Sequence, residues 1–165
     1  MKAQVSSIDA LVAILLFTGV YVFLMNAYGN IQVTPDEFDE LVVKTAFVNS
    51  RLLSSPGEPS NWTQASVLQL GLALNRVVIE PDKLASFLNL SQTNLSRTTE
   101  LLGIQGYRFY FNLTHLNGST LSINAPSFNG SAVVGSDFNS TLATGLRSVA
   151  IYNGSRVFVY LKVGE

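Results

Sequence analysis

Residues Lys2 to Val33 read KAQVSSIDALVAILLFTGVYVFLMNAYGNIQV, and the sixteen from Ala10 to Met25 carry no charge, with Thr18 and Gly19 interrupting Leu, Val, Ile and Phe. At about 1.5 Å per residue the run spans roughly 24 Å as a helix, and counting from Ile8 to Tyr28 reaches the ~30 Å of a bilayer's hydrocarbon core. The chain therefore divides into an apolar stem and, in the remaining ~130 residues, one soluble domain of ordinary size.

The start of the stem carries a carboxylate. Ser6-Ser7-Ile8-Asp9 matches the S-x-x-D capping box, which predicts Ser6 as the helix cap and Asp9 beside the positive end of the dipole. Such a group costs about 2.5–3.5 kcal/mol at mid-bilayer and less near an end, so Asp9 also calls for a partner. Lys2, the only charge before Asp9, orients the stem with its start in the cytoplasm. A secretory signal peptide ending at Ala27-Tyr28-Gly29 is the rival reading, and it would release the head without an anchor.

Composition narrows the head's chemistry. Only 13% of the 165 residues are charged, against ~25% in average chains, and the net charge is −1, which gives nucleic acid no basic patch. Cysteine is absent, so disulfides and thiolate metal sites are excluded. Asn-X-Ser/Thr acceptor sites stand at Asn61, Asn89, Asn94, Asn112, Asn117, Asn129, Asn139 and Asn153, whereas thirteen Asn and 29 Ser plus Thr give about two by chance. All eight follow the apolar stem, which places the head outside the cell with N-linked glycans attached.

Beyond the stem, Thr34-Pro35-Asp36-Glu37 predicts a helix start, with Thr34 as cap, and a second helix from about Pro35 to Ser54. Its Phe38, Leu41, Val42, Ala46, Phe47 and Leu53 fall near one stripe. Two prolines and a glycine in Ser55-Pro56-Gly57-Glu58-Pro59-Ser60-Asn61-Trp62 stop it, and Trp62 reads as a core plug whose indole N–H meets a backbone acceptor. Short helices are expected over Pro81–Leu88 and Ser91–Leu102, the latter closed by Gly103. Tyr107–Thr114 alternates as a strand that Asn117-Gly118 folds back into Ser119–Asn124. Ser131–Val134 reads as a short strand, and Asn153-Gly154 joins a final hairpin of Arg147–Tyr152 and Arg156–Val163, which forms the sheet under the second helix.

The front end resembles archaeal type IV pilin-like proteins with a class III signal peptide, in which a short basic leader ends in Lys or Arg plus a small residue. The Pro56-Gly57-x-Pro59-x-Asn61-Trp62 turn, Gly71-Leu72-Ala73, Lys83-Leu84, Leu101-Leu102-Gly103-Ile104 and Tyr107-Arg108-Phe109-Tyr110 are also similar to strings of that family, over about residues 55 to 112. The resemblance implies a leader over residues 1–3, with Lys2, Ala3 and Gln4 read by a prepilin peptidase, an assembly helix over 4–33 and an external head over 34–165. It implies that Asp9 pairs with the free amino terminus of a neighbouring subunit. Here the leader is three residues long, and Asp9 falls sixth after the cut where the family prefers Glu at the fifth place.

No catalytic constellation is visible. His115 is the sole histidine and reads as a solvated turn residue, and no G-x-S-x-G elbow occurs. Asp36, Glu37, Asp39 and Glu40 read as a solvated helix start, and Asp137 is a single carboxylate among Asn side chains, thin for calcium. The expectation is an α+β protein, not an enzyme, without cofactor or metal. A long apolar helix waits in the membrane and then packs with copies of itself or related pilins in an extracellular filament, while a glycosylated head of helices on an antiparallel sheet faces outward. The alternative is a single-pass anchored extracellular binding protein that does not polymerise.

Overall fold

The structure, a computed structural model, describes residues 2–29 and 35–165, with side chains for 9–27 and 37–165. Helix α1 (Lys2–Gly29) lies in one compact unit, and residues Asp36–Glu165 form another. Thr34, the expected cap, lies outside the described residues, as do the side chains of Lys2, Ala3, Gln4 and Ser6. Ser6, the expected cap of α1, does not stand at the start of the helix. Helix α1 already begins at Lys2, so Ser6 is an interior residue and no acidic residue lies in the first turn. The reason is local, since Lys, Ala and Gln are good helix formers and extend the helix upstream.

The head is α+β. Its elements are α2 (Pro35–Ser54), β1 (Ala73–Asn75), β2 (Val78–Ile79), α3 (Pro81–Thr93), α4 (Leu95–Leu102), β3 (Arg108–His115), β4 (Ser122–Ala125), β5 (Phe128–Ser131), β6 (Val133–Val134), β7 (Ala143–Tyr152) and β8 (Ser155–Gly164). Six strands form one sheet in the order β1-β2-β7-β8-β3-β6, antiparallel except at β2–β7, and β4 and β5 form a separate hairpin. The β7–β8 hairpin turns on Asn153 (φ 47°) and Gly154 (φ 75°), the paired positive φ of a type I′ turn that Asn-Gly favours.

One face of this sheet carries the core. Phe109, Phe111 and Leu113 of β3 alternate into it with Val157, Val159, Leu161 and Val163 of β8, all nearly inaccessible. Phe87 of α3 meets Phe111 edge to face at 5.2 Å, and Asn49 of α2 accepts a hydrogen bond from Ser148 Oγ of β7 at 3.1 Å. The second helix thus packs on the final hairpin, as expected. Trp62 is also a core plug, donating its indole N–H to Gly71 O at 3.0 Å.

Two sequence expectations are corrected. Asn117-Gly118 is a turn, but β3 and Ser119–Asn124 form no extended ladder beyond one bridge, Thr114–Thr120. Instead β4 pairs with β5 across Pro126-Ser127, and β6 takes the edge of β3 through Phe111–Val134 and Asn112–Val133. Pro126 supplies the sharper reversal, and Val133-Val134 competes for the same edge. The single stripe on α2 is also wrong. Leu41, Val48, Leu52 and Leu53 are buried, whereas Phe38, Val42 and Phe47 are exposed with Val43. At about 100° per residue Val43 and Phe47 project well away from the Leu41–Val48–Leu52 line.

The helices otherwise shift only at their ends. Helix α3 continues to Thr93 beyond the expected Leu88, and α4 starts at Leu95, where Asn94 Oδ1 accepts from Arg97 N at 2.9 Å. Gly103 closes it in the left-handed region, φ 74°.

Candidate functional site

Helix α1 has no polar side. From Asp9 to Ala27 its mean hydropathy is 2.2 and none of that window is buried, with Leu11, Ile14, Leu15, Leu16, Phe17, Val20 and Phe23 all outward. It is long and apolar enough to cross a membrane. Thr18 resolves its own polarity by donating to Ile14 O at 2.8 Å, the local solution a helix uses in hydrocarbon. Asp9 opens the window, exposed, with no ion pair among the described residues. Lys2, Ala3 and Gln4 lie on the same helix two turns upstream of it.

Helix α2 adds a second apolar surface that the sequence reading missed. Val43 is 67% exposed and Phe47 55%. Leu41 and Val48 hold the opposite face in the core. The missed signal is that the apolar residues of α2 cover more than one stripe's width.

The eight acceptor asparagines divide by backbone setting. Asn61, Asn94, Asn117, Asn129, Asn139 and Asn153 are exposed. Asn117 Oδ1 accepts from both the backbone N–H and the hydroxyl of Ser119, the third residue of its own acceptor triplet, at 3.0 and 2.7 Å. Asn89 and Asn112 are half-buried: Asn89 donates from Nδ2 to Ser127 O at 2.8 Å, and Asn112 stands in the middle of β3.

Titratable groups in the head are scattered or paired. Asp137 is held by Lys162 Nζ at 3.0 Å, and that cation keeps its carboxyl below the usual range. Arg147 stacks on Phe158, 3.8 Å from the ring centre. His115 is exposed at the end of β3, beside a depression of ≈400 Å³ whose lining includes Ser119, Tyr152 and Ser155 but no carboxylate. Among the described residues no three His, Asp or Glu side chains gather as metal ligands. No protein-family model, curated protein or solved structure matches the chain.

Proposed function

We propose that this protein is a structural subunit of a surface filament of the archaeal type IV pilus kind, held first in the membrane and then in a filament core by α1. The observation that carries this reading is the 19-residue apolar window from Asp9 to Ala27, exposed on every side and opened by a carboxylate. A helix with no polar face is stable only in lipid or among other apolar helices, and subunit assembly exchanges the first for the second. In either setting Asp9 is costly without a cation. The amino group released by cleavage after Ala3 is a cation at the required end of a neighbouring helix.

The exposed Phe38, Val43 and Phe47 of α2 offer neighbouring subunits a second apolar surface. The six exposed acceptor sites of the head then face outward and carry glycans. Under this reading a prepilin peptidase recognises Lys2, Ala3 and Gln4.

Intact mass and amino-terminal sequencing of the membrane-derived protein test it directly. A start at Gln4 or Val5 with added mass at the acceptor sites is expected. A start at Met1, with a monomer in detergent, would replace the filament by a permanently anchored binding protein. Asp9→Ala is expected to insert normally and fail to assemble, and normal filaments from it would refute the pairing role.

A further inference from the structure

We propose that Asn112 carries a glycan whose first sugar seats on the open face of the sheet, in the depression formed by Asn112, Thr114, Gly118, Arg147 and Tyr160. The inference rests on the reading of the head as external.

Alternation in β3 sends Phe109, Phe111 and Leu113 into the core and Tyr110, Asn112 and Thr114 to the opposite face. Register then aligns a row across three strands: Asn112 faces Tyr160 of β8, and Tyr160 faces Arg147 of β7. The adjacent row is Thr114, Phe158 and Val149. Arg147 and Val149 are exposed, and the aromatic rings are half-buried. The depression lined by Asn112, Thr114, Gly118, Arg147 and Tyr160 measures ≈290 Å³, at the small end of ligand pockets.

The chemistry of this lining suits a pyranose. An aromatic ring takes the apolar C–H face of a sugar, and a guanidinium offers several donors to its hydroxyl or carboxylate oxygens. What identifies the occupant is the acceptor triplet Asn112-Leu113-Thr114, which puts the attachment point inside the depression. A tethered sugar needs little intrinsic affinity, because its effective concentration at the seat is high. At the six exposed acceptor sites a glycan projects into solvent instead.

Attachment joins Asn112 Nδ2 to the anomeric carbon of a phosphate-activated oligosaccharide donor. The N–C bond forms, the C–O bond breaks with its electron pair staying on the phosphate, and one amide proton passes to a base of the transferase. Because β6 and β8 flank β3 on both sides at Asn112, transfer precedes closure of this sheet.

The test is glycopeptide mass spectrometry on full-length protein from the cells that make it, followed by timed release of glycans from the folded protein by an amide-cleaving glycosidase. We expect Asn112 to be occupied and its glycan released about tenfold more slowly than that of Asn153, a difference that Tyr160→Ala abolishes. Arg147→Ala, at an exposed position, should reduce the same difference and serves if Tyr160→Ala does not fold. Glycans at the turn sites with Asn112 bare would overturn the inference and leave the external reading intact. Equal release rates at Asn112 and Asn153 would overturn the seat alone. No glycan at any acceptor site would overturn the inference together with the glycosylated external head.

Discussion

Gly71→Ala tests how tightly the turn after α2 is locked. A Cβ at Gly71 would lie 2.3 Å from Gly57 N and 2.4 Å from Ser55 O, both backbone atoms with no rotamer to relieve the clash. Gly57 itself has φ +84° and a Trp62 ring atom 2.5 Å from where its own Cβ would be, so it has nowhere to retreat. Separating these segments costs ~1–3 kcal/mol as overpacking, and losing the bond from Trp62 Nε1 to Gly71 O strands a buried donor for ~1–3 kcal/mol more. The expected total is about 3 kcal/mol, or ~10 °C in the melting temperature of a head this size. Thermal melts of the full chain in detergent, followed by circular dichroism, give the measurement. Trp62→Phe, which loses the hydrogen bond without the clash, should cost the smaller share. A Gly71→Ala melt within about 2 °C of the parent would show that the contact is not rigid and refute the reasoning.

Phe111→Ala should be the most damaging core truncation, at about 3–5 kcal/mol by denaturant titration, because it empties the centre of the sheet face that Phe87 fills. Alkaline pH should destabilise the head. Glu40, then the Tyr107 hydroxyl, raise the Lys44 pKa, and burial raises that of Tyr152. The folded state therefore holds these protons more tightly than the unfolded one, so the contribution is full below about pH 10 and is lost as pH rises through the folded values. In Tyr152→Phe the loss between pH 10 and 11 should be shallower, read from melts across that range. Phe47→Glu, at an exposed site on α2, should leave stability within ~0.5 kcal/mol and abolish filament formation seen by electron microscopy.

Where local chemistry decides, the sequence already contained the answer. Pro35 as the first residue of α2, Gly103 as the stop of α4 and Asn153-Gly154 as a hairpin turn each follow from backbone geometry within four or five residues. The plug role of Trp62 was also legible, from one large aromatic beside a turn. Among the acceptor sites, the triplets were plain but their settings were not. Asn112 and Asn117 look alike in the sequence, yet one lies within a central strand and the other in a turn.

The sequence by itself determined that this chain carries a membrane-length apolar helix ahead of an α+β head, since hydropathy and turn signals are properties of neighbouring residues. Only the tertiary structure decided that β3 lies between β8 and β6, that α2 keeps a second apolar face exposed, and that Asn112, Tyr160 and Arg147 share one row. Strand pairing joins segments tens of residues apart, and many β-branched segments compete for the same edge. That competition is settled by how the whole core closes, so no local pattern encodes it.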